Sequence, residues 1–328
     1  MVDNTAFTGK HGSLLVGVET SYATGGTADR DIGLMSSISV EETSEFVECP
    51  SVGARNNQAN VRTAYNVKLS IEGTYQHSRL LYYALGAVST TGGSDPYTHT
   101  ITEADVIPSL KVQYCKSNAA TGNQRLIIGA RLNTLALSVD NGSVLKFTAD
   151  FIGQKVTFSD STASQTIDDI LPPGNPQVDV QLGADDSEPT VTVTAVQGFD
   201  LNIDNGLIVS KPINSVTITE AIAGNRRYSG TLRVAESAGA TTVELIKRVL
   251  GTSSSTTPDK AQTRNALELY WTNGLTPVDS IKIVLYGVSF GSATAKSVPG
   301  ELDILEIPFV AESLGSCSGV DDIADASF

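Results

Sequence analysis

The chain has 328 residues, of which 40% are hydrophobic and 18% are charged, below the roughly 25% of charged residues in average soluble proteins. This length supports one large core or two medium cores, and the composition excludes a coiled coil, a collagen and a disordered linker protein. The formal net charge of −14 argues against a surface that wraps nucleic acid, because such a surface needs Lys and Arg to displace counterions.

The negative charge is concentrated in the second half of the chain. Residues 156–328 hold 10 Lys and Arg against 22 Asp and Glu, a net charge of −12. We interpret this excess either as a charge that keeps the protein soluble or as an acidic surface with a function.

The sequence gives no signal for membrane insertion, secretion or metal binding. It has no run of about 18 apolar residues, and its first 17 residues lack the pattern of a signal peptide. The three cysteines, Cys49, Cys115 and Cys317, are too far apart for a disulfide framework or a zinc site. We therefore expect a protein made in a reducing cytoplasm, with no membrane contact, no metal and no other cofactor.

Strand patterns dominate the chain. Residues 67–75 alternate apolar and polar side chains, as a half-buried strand does. The Asp-Asn-Gly sequence at 140–142 lies between two such patterns and predicts a hairpin turn, because a type I′ turn needs positive φ. The predicted strands cover, in chain order, residues 33–41, 67–75, 109–115, 135–139, 144–147, 189–195, 199–203, 214–219, 227–234, 265–271, 281–288 and 302–310.

Two segments have helical patterns. Residues 78–85 begin with Ser78, a suitable N-cap, and are followed by Gly86, a suitable C-terminal glycine. Residues 242–250 follow a capping-box spacing of Thr241 and Glu244, and their apolar residues recur at four-residue steps.

The surroundings of these helices indicate an internal repeat. Each helix follows a strand pattern and ends in Leu-Gly, and the two glycines, Gly86 and Gly251, are 165 residues apart, about half the chain. A Ser/Thr-rich loop, a strand and a final hairpin follow in both halves. We predict a mainly β fold with two tandem β-sandwich or barrel units, each with one short α-helix, at residues 33–171 and 172–311, which meet at a proline-rich segment.

Several segments do not fit compact units. We expect an N-terminal arm at 1–32, a long polar loop at 50–63, a hairpin inserted into the second unit at about 177–195 and a C-terminal tail at 312–328. The arms and the loop are either frayed ends and one mobile loop, or segments that become ordered only against neighbouring copies.

A search for catalytic chemistry finds no assembled set of residues. His77 and His99 have no metal-ligand spacing, and His99 is expected on an exposed strand. The Gly-Ser-Cys-Ser-Gly sequence around Cys317 imitates a nucleophile elbow but lies in the predicted tail with no helix after it. The acidic residues Asp185, Asp186 and Glu188 are interpreted as a solvated hairpin tip, with a cation site as the alternative.

Four stretches of the sequence resemble tail tube proteins of tailed viruses. The first is residues 9–24, in which a Glu-Thr-Ser-Tyr-Ala phrase has Ala23 where the family usually has glycine. The others are 67–86, 129–139 and 226–234, and together the four segments spread the resemblance over most of the chain.

This resemblance implies a tail-tube-like β-sandwich in each unit and a structural, non-enzymatic role in the virion tail. It also implies stacked rings joined through the arms and the long loop. Because the sequence indicates a duplicated fold, rings of three chains with pseudo-sixfold symmetry are favoured, and rings of six chains are the second alternative. The implied partners are other copies of the chain, tape-measure and tail-terminator or baseplate proteins, and DNA that passes without specific binding.

We assign candidate residues on this basis. The acidic residues 185, 186 and 188 are candidates for an acidic surface or channel wall that repels phosphate. The alternative function is a two-domain β-sandwich adhesin or surface binding module. The candidate self-assembly residues are Gly53, Ala54, Arg55, Asn56, Asn57, Gln58, Arg226 and Arg227.

Overall fold

The computed structural model describes most of the chain, and its mainly β fold, with two short helices, agrees with the sequence prediction. The described residues are 13–76, 78–115, 124–159, 172, 174, 177–236, 240–252, 254–258, 260, 264–274, 279–296 and 302–324. His77 therefore lies outside the described residues, as does most of the proline-rich segment between the two predicted units.

Among its described residues, the first half contains nine strands and one helix. They are β1 (Ser13–Val18), β2 (Leu34–Cys49), β3 (Ala59–Thr74), α1 (Arg79–Leu85), β4 (Gly86–Thr91), β5 (Tyr97–Glu103), β6 (Leu110–Cys115), β7 (Gln124–Asp140), β8 (Lys146–Gly153) and β9 (Lys155–Ser159).

The described part of the second half contains eleven further strands and the second helix. They are β10 (Val178–Ala184), β11 (Val191–Thr192), β12 (Val196–Asp204), β13 (Ile208–Ser210), β14 (Glu220–Ile222), β15 (Arg227–Ala235), α2 (Ala240–Leu250), β16 (Asn265–Thr272), β17 (Ser280–Phe290), β18 (Thr294–Lys296), β19 (Ile304–Ala311) and β20 (Ser313–Asp321).

One antiparallel sheet, here called the central sheet, runs through both halves. Its order is β2, β3, β8, β7, β12, β15 and β19, and the end of β17 together with β18 pairs with the far side of β19. The pairing of β7 with β12 joins the halves, so the hydrogen-bond ladder is continuous from one half to the other.

Two outer sheets share the long strands β7 and β17 with the central sheet. The first contains β1, β6, the first part of β7 and β9. The second contains β11, β10, β16, the first part of β17, β20, β5 and β4. Because β5 comes from the first half and β20 from the second, this sheet is a second junction between the halves.

The same set of strand pairings occurs in both halves. The pairs β1–β6, β2–β3, β3–β8, β6–β7, β7–β8 and β7–β9 correspond in order to β10–β16, β12–β15, β15–β19, β16–β17, β17–β19 and β17–β20. The helices also correspond, since α1 follows β3 and α2 follows β15. The two halves thus share one order of strand pairing, which includes strands that the local sequence patterns did not predict.

Some irregularities of the sheets recur at equivalent places in the two halves. The β2–β3 ladder shifts register at Ser36, and the β12–β15 ladder shifts at the equivalent Gln197. Gly129 in β7 and Gly287 in β17 have φ values of 68° and 65°, a conformation that favours glycine. Bulges and positive φ angles involve single residues. Because they recur at equivalent positions, the two halves correspond residue by residue and not only strand by strand.

The core is one cluster of buried apolar side chains that includes residues of both halves. Phe199 and Trp271 lie 5.2 Å apart between ring centroids, and both are fully buried. Helix α1 contributes the buried Leu80, Leu81 and Leu85, and ends as predicted at Gly86, whose φ of 114° accommodates the left-handed cap. Burial of large apolar side chains is the main stabilising contribution to this sheet packing.

Several sequence predictions are corrected by tertiary pairing. The expected arm at 1–32 contains β1, which pairs with β6, and the expected tail at 312–328 contains β20, which lies between β17 and β5. The expected insertion at 177–195 contains β10, which pairs with β16 as β1 does with β6. These segments were not recognised as parts of the sheets because their partners are distant in sequence.

Three further expectations are corrected within single elements. Residues 214–219 were predicted as a strand but form the turn between β13 and β14. Helix α2 begins at Ala240, so Thr241 lies inside the helix rather than at its N-cap. His99 was expected to be exposed and is fully buried in β5.

Candidate assembly surfaces

The predicted polar loop is the tip of a long hairpin that we call the first arm, residues 44–66. Strands β2 and β3 continue their ladder to the pair Cys49 and Ala59, which leaves residues 50–58 as the loop; the prediction of a loop up to 63 was therefore too long. Every residue from 44 to 63 is exposed, including Phe46 and Val52. The first arm thus presents apolar side chains without burying them in its own chain.

All six candidate residues of the loop, 53–58, are exposed at the tip of this arm. Gly53 has a φ of 89°, and the backbone N–H of Gln58 donates to the carbonyl of Cys49 at 3.0 Å to close the hairpin. A closed turn with exposed side chains is suited to contact another molecule, because its backbone is already ordered.

The base of the first arm is held by polar contacts. The hydroxyl of Tyr65 donates to Oε2 of Glu42 at 2.7 Å, and the guanidinium of Arg62 lies 5.0 Å from the centre of the Tyr65 ring. Burial and this hydrogen bond to a carboxylate raise the pKa of Tyr65 to about 12. Tyr65 therefore remains a neutral hydrogen-bond donor throughout the ordinary pH range.

A second arm, residues 205–227, leaves the end of the β12–β15 ladder as the first arm leaves the end of the β2–β3 ladder. Its strands β13 and β14 pair Ile208 with Ile222, and the equivalent pair in the first arm is Val47 with Val61. Sequence reasoning missed this arm. Its recognisable signal was a polar segment with isolated apolar residues, Ile208, Val209 and Ile213, which are exposed in the structure.

The second arm lies on the first half of the chain. The carbonyl of Val216 accepts from the backbone N–H of Tyr65 at 2.8 Å, and the carbonyl of Ala221 accepts from Nη1 of Arg131 at 2.5 Å. Arg131 also pairs with Glu220 at 2.9 Å. These contacts bury Ala221 and hold the second arm against residues of β3 and β7.

A buried amide holds the bend at the start of the second arm. Nδ2 of Asn205 donates at 3.0 Å to each of the carbonyls of Ala84 and Leu132, and its Oδ1 accepts from Nε of Arg226 at 2.8 Å. Arg226 also donates to the carbonyl of Leu85 at 3.2 Å, at the C-terminal end of α1, where a cation is favourable.

The two arginines proposed as an assembly site therefore have different environments. Arg226 is half-buried and joins the second arm to the first half, with a further ion pair to Glu103 at 3.4 Å. Arg227 is exposed at the start of β15. Arg226 accordingly acts inside the chain, and only Arg227 of the two presents its side chain to solvent.

The acidic residues of the β10–β11 tip are not equally free. Oδ1 of Asp185 accepts from the backbone N–H of Gly287 at 2.8 Å, and Glu188 pairs with Lys282. Asp186 is exposed and has a φ of 55°. Two of the three carboxylates thus tie the hairpin tip to β17.

The central sheet ends in two strand edges. Within the described part of the chain, β2 pairs only with β3, and β18 pairs only with β19. Unpaired N–H and C=O groups on such edges form hydrogen bonds readily with a strand of another chain. The fold therefore presents one strand edge from each half at opposite ends of one sheet.

Cys317 and His99, considered above for catalysis, are both buried in strands of one outer sheet. Cys317 is buried in β20, and burial raises the pKa of its thiol to about 12, which suppresses the reactive thiolate. His99 contacts Asp321 and Thr90, each at 2.8 Å, and so links β5 to the end of β20. Among the described residues no group of three or more His, Cys, Asp or Glu could hold a metal ion, and no helix is long and apolar enough to span a membrane.

A family comparison gives these surfaces a context. The family model described as phage tail tube protein matches residues 9–278. This chain belongs to the phage tail tube protein family. A search of curated proteins found no match.

Membership confirms the family resemblance seen in the sequence and the expectation of a structural virion protein of the tail. The matched span begins before β1 and ends just before β17, so it includes both arms and the β7–β12 junction. Membership of this family implies that the chain assembles into a tube with other tail proteins.

Proposed function

We propose that this chain is the repeating subunit of a tail tube, in which closed rings stack to form the channel that conducts DNA during genome ejection. The main support for the proposal is the central sheet. In this member of the tail tube family the sheet crosses both halves of the chain and has a strand edge at each of its two ends. A lateral contact that closes and an axial contact that repeats are the two interfaces that a tube requires.

We further propose that the chain contains the tube fold twice and that three chains form a ring with pseudo-sixfold symmetry. The support is the set of six strand pairings found in both halves, together with the internal junction of β7 and β12. By this correspondence β2 is equivalent to β12, and the end of β17 with β18 is equivalent to β7. In a ring of three chains, a junction equivalent to that of β7 and β12 then also forms between each chain and the next, three times in all.

The internal junction gives a register for the junction between chains. Leu201 of β12 lies opposite Leu137 of β7. Their equivalents are Val40 in β2 and Ala295 in β18, so we place Val40 of one copy opposite Ala295 of the next. The ladder of the central sheet would then continue around the ring without a free edge.

The remaining roles follow from the same assignment. The tube subunit is expected to be assembled in the host cytoplasm and to contact tape-measure and tail-terminator or baseplate proteins at the ends of the tube. The net charge of −14 supports a channel that lets DNA slide, because an acidic wall repels phosphate.

Electron microscopy of the purified chain tests this function. We expect rings or tubes in negative stain, and class averages of end views with threefold symmetry and six similar lobes. A protein that stays monomeric at high concentration, also when purified tail components are added as nuclei, would overturn the proposal.

A further inference from the structure

The two arms are the same hairpin in two environments. Both close through equivalent backbone bonds, from Gln58 to Cys49 in the first arm and from Thr219 to Ser210 in the second. The turn inside each also has an equivalent bond, from Ala54 to Ser51 and from Ser215 to Pro212, both at 3.2 Å. The second arm lies on the first half of its chain, whereas residues 44–63 of the first arm are all exposed.

The second arm is attached mainly through its backbone. The carbonyls of Val216, Thr219 and Ala221 accept hydrogen bonds from Tyr65, Gln154 and Arg131 of the first half. Contacts to carbonyl groups do not depend on the side chains of the arm. An arm with another sequence can therefore repeat them on an equivalent surface.

The second half has a surface with an equivalent backbone but other side chains. The residues that correspond to Tyr65, Arg131 and Gln154 are Arg226, Ser289 and Glu312. The backbone N–H of Glu312 donates to the carbonyl of Tyr286 at 3.1 Å, as that of Gln154 donates to the carbonyl of Ile128 at 3.0 Å.

The chemistry of the contact changes at two of these three positions. Ser289 lacks the guanidinium with which Arg131 donates to the carbonyl of Ala221, so that bond has no direct equivalent. Gln154 donates its amide to the carbonyl of Thr219 at 3.4 Å, whereas its counterpart Glu312 is exposed and only accepts when ionised. The first-arm residue equivalent to Thr219 is Gln58, whose side-chain amide donates. The donor is thus on the arm and the acceptor on the surface. In the single chain the Gln58 amide donates to the carbonyl of Asn56 at 3.2 Å and Glu312 pairs with Arg264 at 2.9 Å, so the new pair forms when the amide turns from Asn56 to the carboxylate.

We infer that in the assembled tube the first arm bends at its base and lies on the second half of the neighbouring copy in the same ring, as the second arm lies on the first half of its own chain. This inference rests on the proposed ring, in which β2 meets the neighbour's β17 and β18. Gln58 then lies beside Glu312 of the next copy, and each arm crosses the base of the preceding arm to form a collar around the ring.

Thiol cross-linking of assembled tubes tests this arrangement. The chain carries Cys49→Ser, to remove the exposed thiol of the arm, together with Gln58→Cys and Glu312→Cys. A short bis-maleimide is added, and the products are separated by denaturing electrophoresis. We expect covalent dimers and trimers and no larger species, because lateral cross-links close within a ring of three.

The matched control uses the contact already present inside one chain. Thr219→Cys with Gln154→Cys in the same Cys49→Ser background is expected to cross-link within the chain, with a mobility shift and no covalent dimer. It shows that the reagent spans this geometry and that the variants fold.

The outcomes separate the inference from the proposed function. Tubes that form but give no cross-link between 58 and 312, while the control reacts, would overturn the lateral arm and leave the tube subunit intact. A ladder that continues beyond three chains would also overturn it, because the arm would then join successive rings. Failure of the Cys49→Ser parent to form rings or tubes would instead count against the proposed function.

Discussion

At the scale of single residues, the halves of the chain are joined by a few buried polar groups. Asn205 contacts two carbonyls of the first half and the guanidinium of Arg226, and it is almost fully buried. A buried polar side chain contributes stability only when its partners are satisfied, and removal of one partner leaves the others unpaired. Asn205 therefore fixes the bend of the second arm as well as the position of Arg226.

Asn205→Ala is expected to lower the free energy of unfolding by about 2–4 kcal/mol, because two carbonyls and a guanidinium each lose a buried hydrogen bond. Urea titration followed by circular dichroism measures the change. The matched control is Asn57→Ala at the exposed arm tip, expected to stay within about 0.5 kcal/mol of the parent. Equal effects of the two substitutions would contradict the assigned role of Asn205.

At the scale of secondary-structure elements, a segment belongs to the core when other strands pair with it, whatever its composition. Strand β20 has the Ser/Gly-rich composition of a tail, yet it pairs on one side with β17 and on the other with β5. Its alternate residues are buried, among them Cys317 and Asp321. The element is a central strand of its sheet, because two distant strands leave a gap that it fills.

Removal of β20, by ending the chain at Glu312, is expected to abolish the cooperative thermal transition. The edges of β17 and β5 lose their hydrogen bonds, and apolar core surface becomes exposed. Circular dichroism and solubility measure this effect. Cys317→Ala is the control, since it keeps the strand and is expected to remain folded; a truncated chain with the melting temperature of the parent would refute the assignment.

At the scale of the whole molecule, the two halves are similar in pairing but not independent. The central sheet crosses from β7 to β12, and an outer sheet crosses from β20 to β5. The buried apolar side chains of both halves form one cluster. Separation of the halves would break hydrogen bonds in two sheets and expose the shared core. The free energy that this requires is larger than that for separating two domains at a typical interface.

Calorimetry of the unassembled chain is therefore expected to show one unfolding transition, with equal calorimetric and van't Hoff enthalpies. Conditions that dissociate rings come first, because assembly makes the melting temperature depend on concentration. Two resolved transitions, one for each half, would show that the shared sheets contribute little to cooperativity.

The sequence by itself determined those features that are set by neighbouring residues. Alternation over 67–75, the Asp-Asn-Gly turn after β7 and the glycine that ends α1 each act within a few residues, so the mainly β class and the helix at 79–85 were predicted correctly. The two Leu-Gly helix ends also pointed to two similar halves, and the family resemblance was confirmed.

Only the tertiary structure decided which strands pair and which exposed segments are attached. Composition assigned β1 and β20 to arms because their stabilising partners are distant in the chain. It also grouped Arg226 with Arg227, although Arg226 is half-buried against the first half and Arg227 is exposed. The second arm was missed because the first half binds it mainly through its backbone carbonyls. Every residue has a backbone carbonyl, so this kind of contact cannot be recognised from the pattern of side chains. Non-local pairing is a property of the whole chain, since each strand edge binds whichever partner the rest of the fold brings to it.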